Sequence, residues 1–334
     1  MRTQVKASAL AISLAALPGV ALADGPYKQY TPEVEHVAPV SQFQWETAIR
    51  YWNSTGKMAK DLYDPFVTTQ QNSRLTYNDS QAHSGELVAR LDHKPTGLFL
   101  KGFIGGGSIV NGKMNDEDFP GGYTNTLQEI HSGNLKYFTA DFGWTFYNSL
   151  ANASRVSIKD DDGYRGLRGV PARLGMFIGY NYWNEFAQTF GCNQIATPGS
   201  VCSPAPVTTG QYTLGQDNTW KSLRLGLTGD VALGERWTLS GDAAYTRTEL
   251  DGFDHHQLRP DINPLHETGK GNGVQLEALL KYNVTDMFGI GVGARYWKNY
   301  TNGSTQFPGG VPPSPERWQA DRSGVFVQGS MKFN

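Results

Sequence analysis

The chain has 334 residues, and its 29 lysines and arginines against 31 aspartates and glutamates give a formal net charge of −2 at pH 7. This weak charge, together with the lack of a basic stripe, excludes a typical nucleic-acid-binding protein. No apolar segment after the first 23 residues is long enough to cross a bilayer as a helix, which excludes a helical membrane protein.

The first residues predict export from the cytoplasm. Arg2 and Lys6 form a short basic start, and an apolar, alanine-rich run over 7–22 follows. Ala21, Leu22 and Ala23 then fit the small-x-small pattern at which signal peptidase cuts. The run is too short to favour a membrane anchor, and the basic start argues against a buried helix. The pattern therefore predicts a signal peptide over 1–23.

Residues 24–44 are predicted to form a flexible N-terminal arm, and residues 45–334 the folded domain. In that domain polar and apolar residues alternate, most clearly from Trp237 to Tyr245, where the odd positions are apolar and most even positions are polar. Such a strand has one apolar and one polar face. The 39 glycines and the 12% of aromatic residues favour a membrane barrel over a soluble sandwich, because girdles of aromatic residues flank the apolar band of such barrels.

Similar alternation recurs along the rest of the domain and predicts ten strands. Ten is an even number, as expected for a closed antiparallel barrel. Several predicted strands are longer than the 9–11 residues that a bilayer needs. The sequence therefore predicts an all-β, ten-stranded antiparallel transmembrane β-barrel that extends above the outer membrane. The predicted strands are 45–64, 72–93, 97–116, 134–147, 172–190, 211–233, 237–256, 272–284, 288–301 and 322–334.

The predicted connections alternate in length, and the long ones are expected outside the cell. Short turns are predicted at 94–97, 233–236 and 284–287. One long connection, 147–171, falls on the side expected to be short; it is interpreted as a small hairpin insertion. Its acidic run, 159–162, favours a solvated turn over a metal site. The predicted long loops are 117–132, 192–218, 257–271 and 302–322.

Cys192 and Cys202 are the only two cysteines. In an exported chain this pair favours one disulfide that closes a loop. A pair of free thiols is the alternative, because sequence does not show bonding.

Two clusters of polar residues fall at strand ends that are expected outside the membrane. Asp116 and Asp118 form the first, and Asp254 and His256 the second; in each, residues two apart project from one face of a strand. A carboxylate can orient an imidazole, and a pair of carboxylates can hold a water molecule. Taken alone, either cluster is more often solvated surface.

The register decides whether these groups face the lumen. From residue 238 onward even positions are polar, which directs Asp254 and His256 inward. In the strand that starts at Leu98 the even positions are apolar, so an unbroken strand would direct Asp116 and Asp118 outward. A β-bulge at 105–107, or an equivalent slip, is predicted to restore their inward direction.

The segment 112–119 resembles the signature of the omptin family of outer-membrane proteases, with Phe119 at the position of a tryptophan. The omptin Asp-x-His pair is matched by Asp254 and His256. The segments 54–57, 173–180 and 225–229 resemble family strands in the right order, so the resemblance spans most of the mature chain. His255, between the two members of the pair, is expected to face outward.

The resemblance implies a ten-stranded barrel with a peptidase site in its outer mouth. Asp116 and Asp118 would form one catalytic pair; Asp254 would orient His256, and His256 would act as general base on a water that Asp116 holds. The resemblance implies no cofactor, no metal and no covalent intermediate. Its implied partners are outer-membrane lipid, lipopolysaccharide above all, and a peptide or protein substrate.

Omptins that cut between basic residues carry acidic groups in their substrate pockets. At the matching position of the first strand this sequence has Lys60, or Asp61 if the match is shifted by one, and Gly252 stands two residues before Asp254. A pocket for cationic side chains is therefore not expected. Two alternatives to a peptidase stay open: a non-catalytic barrel with an adhesin or structural role, and a small porin.

Overall fold

The computed structural model of the chain describes residues 41–150, 170–196, 202 and 207–333. The predicted signal peptide, most of the predicted arm 24–44, and the acidic run 159–162 lie outside the described residues. Among the described residues, no helix is long and apolar enough to cross a membrane.

In the described part of the chain, ten antiparallel strands form one closed barrel. Each strand pairs with its neighbours in sequence, and the first pairs with the last, so the sheet has no open edge. The predicted fold class is confirmed. The strands are β1 Phe43–Tyr63, β2 Gln71–His93, β3 Leu98–Asp118, β4 Thr124–Asn148, β5 Ala172–Ala196, β6 Val207–Ala232, β7 Trp237–His256, β8 Leu265–Asn283, β9 Phe288–Thr305 and β10 Ser314–Phe333, with a short 3-10 helix at Pro260–Ile262.

The exterior of the barrel is apolar over one half of its height. On β6, Leu223 and Leu225 are 62% and 65% exposed, whereas Arg224 between them is 6% exposed. This is the reverse of a water-soluble protein and is the arrangement of an outer-membrane β-barrel. Exposed Trp45, Trp144 and Trp237 lie where this surface approaches the short turns, as an aromatic girdle does.

We call this surface the membrane band. It covers the strand segments next to the short turns 94–97, 233–236 and 284–287. The opposite end, where the loops 64–70, 119–123, 257–264 and 306–313 connect the strands, is called the long-loop end. The membrane band consists of 45–51, 85–91, 98–104, 138–146, 174–180, 223–231, 237–245, 274–282, 288–296 and 325–333.

Four strands begin at least about four residues earlier than the sequence predicts: β4 at Thr124, β6 at Val207, β8 at Leu265 and β10 at Ser314. The loops at the long-loop end are correspondingly shorter than predicted. Beyond the membrane band both faces of a strand are largely polar, so the alternation that marks a strand fades although the backbone pairing continues.

The lumen is filled by side chains. Trp52, Tyr137, Trp183 and Trp297 are 0–2% exposed and pack edge to face or tilted, with ring centroids 5.3–5.6 Å apart in the contacting pairs. Ten strands enclose a narrow interior, and here bulky aromatic rings occupy it. In the described residues this packing argues against the small-porin alternative.

A buried ion-pair network lies on the membrane-band side of these rings. Arg295 contacts Glu86 at 2.6 Å and Glu277 at 2.7 Å, and Arg50 contacts the same two carboxylates at 3.3 and 3.0 Å. Two guanidinium groups therefore face two carboxylates, so the charges of this network balance where water is excluded.

β3 reverses its inward parity before it reaches the first polar cluster. Up to Ile109 the odd positions face the lumen, and from Gly112 the even positions do. The pairing of β2 with β3 shifts twice in this region, between Asn78 and Gln81 and between Gln81 and Ala82. Asp116 consequently lies on the inward face, as the predicted slip required.

The predicted place of the slip, 105–107, is wrong. These three glycines pair in regular register with β2 and β4. At Gly105 a side chain would collide with the ring of Tyr137, so this glycine makes room for an aromatic residue of the lumen.

We expect Glu86→Gln to lower the free energy of unfolding by about 3–5 kcal/mol, because it leaves Arg50 and Arg295 with one buried counter-charge in place of two. Urea unfolding in detergent micelles, followed by tryptophan fluorescence, measures the change. Glu249→Gln is the matched control: its pair with Lys270 is 62% and 72% exposed, and its loss should change stability by less than about 1 kcal/mol. Equal effects in the two variants would contradict a stabilising role for the lumen network.

Candidate active site

The four residues predicted as catalytic lie at the long-loop end, beyond the membrane band. Asp116 and Asp118 end β3, and Asp254 and His256 end β7. Antiparallel pairing around a closed barrel brings both strand ends to the same rim. His255 faces outward, where its ring lies 5.9 Å from that of Phe186, in agreement with the expected register.

Asp254 and His256 are in direct contact. Oδ2 of Asp254 lies 3.1 Å from Nε2 of His256; the Asp254 side chain is 2% exposed and that of His256 is 21% exposed. Among the described residues none hydrogen-bonds to the other ring nitrogen, Nδ1. The buried carboxylate thus holds the imidazole, while the ring keeps one nitrogen for a water molecule or a substrate.

Asp116 shares this cleft. Burial, together with the carboxylates of Asp118 and Asp254, raises the pKa of its carboxyl to about 7, although His256 and Lys60 act to lower it. Such charge effects weaken with distance, so Asp116 lies near Asp118, Asp254 and His256. Asp118 lies at its edge, where it accepts a 3.4 Å hydrogen bond from Oγ1 of Thr124.

Lys60, on β1, joins the Asp254–His256 pair. Its Nζ forms an ion pair with Oδ2 of Asp254, the same oxygen that contacts His256, and another of 2.6 Å with Oε1 of Glu267. Burial opposes ionisation, but the ammonium of Lys60 and the imidazole of His256 hold the pKa of Asp254 well below its usual range. Asp254 is therefore a permanent carboxylate, shared between a lysine and a histidine.

Glu267 on β8 and Glu316 on β10 complete the surroundings of Lys60. Both are buried, and burial together with the neighbouring Glu267 raises the pKa of Glu316 to about 9. Burial would lower the pKa of Lys60, but Asp254, Glu267 and Glu316 outweigh it and raise the pKa, so the lysine is charged. We call Lys60, Asp254, Glu267 and Glu316 the lysine cluster.

Glu267 and Glu316 were not identified from the sequence, although the alternation of inward and outward residues along their strands places both of them in the lumen. Gln275 faces the lumen on β8, and counting back in steps of two reaches Glu267. Gln328 faces the lumen on β10, and the same count reaches Glu316. The predicted strands began too late, at 272 and 322, to include either residue.

Cys192 and Cys202 form a disulfide, which confirms the predicted bond. It joins the end of β5 to the loop that precedes β6, at the rim that carries the site. Among the described residues no group of three or more histidine, cysteine, aspartate or glutamate side chains has the geometry of a metal site.

The comparisons with known proteins support the fold alone. The structure resembles that of the outer-membrane protease OmpT of Escherichia coli with a TM-score of 0.66 and 16% identity, over 87% of this chain and 97% of that chain. A FadL homologue of Pseudomonas aeruginosa matches at 9% identity over 87% and 90% of the two chains, with a TM-score of 0.21 that carries no argument. No family model and no curated protein matches the chain. The chain thus has an outer-membrane barrel fold like that of OmpT.

We expect Asp116→Asn to stabilise the protein at pH 8 by about 2–4 kcal/mol and to have little effect at pH 4. The folded-state pKa of Asp116 is raised to about 7, so the protonated carboxyl stabilises the fold at low pH, and that contribution is lost as the pH rises through 7. Unfolding midpoints in urea between pH 4 and pH 8 measure the difference.

Asp251→Asn is the control, because its partner His266 lowers the pKa of this exposed carboxyl. Its substitution should not stabilise the protein at pH 8. A stability difference between wild type and Asp116→Asn that does not change with pH would contradict the assignment.

Proposed function

We propose that this protein is a surface endopeptidase of the outer membrane that hydrolyses peptide bonds as the omptins do. The observation that carries the proposal is the contact between the buried carboxylate of Asp254 and the imidazole of His256, with the carboxyl of Asp116 nearby at the rim of the barrel. The activation of a water molecule requires a base that a carboxylate orients and a second polar group that holds the water.

In the proposed reaction His256 takes a proton from a water molecule that Asp116 holds across the cleft. The resulting hydroxide attacks the carbonyl carbon of the scissile bond, and Asp254 stabilises the imidazolium that forms. His256 then returns the proton to the nitrogen of the leaving amine. Asp118 supports Asp116 as the second carboxylate of the pair.

Three features support the location and orientation that we propose. The apolar membrane band fits a bilayer, the fold resembles that of an outer-membrane protease, and the strands extend beyond the band only towards the long-loop end. We propose that this end faces outside the cell. The proposed partners are peptide or protein substrates and the lipopolysaccharide that surrounds the exposed strands.

One observation favours the second candidate, a non-catalytic barrel with an adhesin or structural role. Oδ2 of Asp254 contacts both Lys60 and His256, so the lysine competes with the imidazole for the carboxylate. In a barrel without activity the lysine cluster would be a buried ion-pair network that stabilises the rim.

We expect His256→Ala to lower the rate of peptide hydrolysis by about 10²–10⁴-fold, because it removes the proposed base. Wild-type protein refolded with lipopolysaccharide is incubated with a mixed peptide library, and mass spectrometry measures the cleavage. His255→Ala, on the outward face of the same strand, is the matched control and should retain activity. Hydrolysis that survives in His256→Ala would rule out this mechanism, and its absence in wild type would favour the second candidate.

We expect a cysteine placed at Tyr123, in the loop 119–123, to react with a membrane-impermeant maleimide on intact cells, because the proposed orientation exposes that loop. Tyr123→Cys is compared with Glu235→Cys in the short turn 233–236; both native residues are exposed. The native cysteines are joined in a disulfide and do not react. Labelling of Glu235→Cys alone would contradict the proposed orientation and would indicate that the short turns face outside the cell.

A further inference from the structure

We propose that Lys60 determines the specificity of this site: its ammonium fills a buried acidic pocket beside the Asp254–His256 pair, so that basic side chains of a substrate are excluded. Removal of the lysine side chain would turn this pocket into a site for a primary alkylammonium ion. The exclusion of basic substrates rests on the proposed function, whereas the pocket itself does not.

The pocket is built by four strands that meet around one nitrogen. Nζ of Lys60 contacts carboxylates of Asp254 on β7 and Glu267 on β8, and it lies 5.5 Å from the centre of the Trp318 ring on β10. The Lys60 side chain is 4% exposed, so no space is left for a second cation. Carboxylates and the face of an aromatic ring together are a typical environment for an ammonium group.

The pocket also holds more acceptors than Lys60 satisfies. No described residue hydrogen-bonds to Oδ1 of Asp254 or to Oε1 of Gln216, and both atoms are buried. Gln216 is 0% exposed and donates from Nε2 to Oε2 of Glu267 at 2.8 Å, which fixes it at the wall of the pocket. Unpaired buried acceptors favour a cation with more donors than one lysine directs at them.

A substrate with lysine or arginine would have to displace Lys60 from this pocket. Lys60 is tethered by its own strand, so it has a higher effective concentration than any free side chain. A basic side chain that stopped short of the pocket would leave two like charges close together in a dry site. The preferred substrates should therefore carry neutral side chains next to the scissile bond.

Isothermal titration calorimetry with n-butylammonium chloride tests the pocket without any need for activity. Lys60→Ala should bind n-butylammonium saturably, at least about tenfold more tightly than wild type. The variant keeps the acidic groups of the pocket and empties the space that the lysine side chain filled. n-Butanol, with the same carbon chain and no charge, should not bind. Lys57→Ala, which removes an exposed lysine of the same strand, should behave as wild type.

Lys60→Ala leaves buried carboxylates without their counter-charge and can fail to refold. In that case n-butylammonium in the refolding buffer should restore the yield, and Lys60→Ala combined with Glu316→Gln removes one acidic group as a second attempt. If neither variant refolds in the presence of n-butylammonium, or if neither binds it, the proposed pocket is contradicted.

Cleavage of a mixed peptide library tests the specificity. Lys60→Ala should cleave next to lysine and arginine at least about tenfold more often than wild type, relative to alanine. Wild type that cleaves next to basic residues as readily as the variant would overturn the inference. If Lys60→Ala binds n-butylammonium but neither wild type nor the variant hydrolyses peptides, the pocket is supported and the proposed peptidase activity is contradicted.

Discussion

A closed hydrogen-bonded ring of ten strands forces every second side chain into a lumen too narrow to be filled by bulk water. The exterior of the membrane band is taken by leucine, valine and aromatic residues that face lipid, so many of the inward positions are polar. Buried polar groups are costly unless they are paired. Arg295 with Glu86, and Arg322 with Glu185 at 2.6 Å, satisfy this constraint and form the core of the barrel together with the buried tryptophans.

The same constraint builds the site at the long-loop end. There the strands rise beyond the membrane band, and the inward residues near the rim include several carboxylates, Lys60 and His256. Asp254 is buried like the charged residues of the lumen below it, and a buried carboxylate needs a cation nearby. Lys60 supplies that cation from β1, which closes the barrel against β10. The candidate site is therefore an extension of the ion-paired lumen, with His256 at the point where it opens to solvent.

The position of Lys60 links stability to specificity. A buried ammonium held by two carboxylates stabilises the rim only as long as all three groups are present. That demand fixes one wall of the cleft and places a positive charge where we propose that a substrate side chain would otherwise bind. The shared oxygen of Asp254 also means that any change at Lys60 reaches His256 directly. In this cleft Asp254 belongs both to the ion pairs that stabilise the rim and to the residues proposed to act on a peptide.

The sequence by itself determined the barrel, the number of strands, and the inward direction of Asp254 and His256, and it favoured the disulfide between Cys192 and Cys202 that the structure contains. Each follows from local patterns: a period of two, turn residues, or a cysteine count in an exported chain. Tertiary structure alone decided the place of the slip in β3. Gly105 keeps its regular pairing and makes room for the ring of Tyr137 on a neighbouring strand, and the register changes at 109–112 instead. It also decided the lysine cluster. Lys60, Asp254, Glu267 and Glu316 come from four strands that are distant in sequence, and only closure of the ring between β1 and β10 sets their charges against one another.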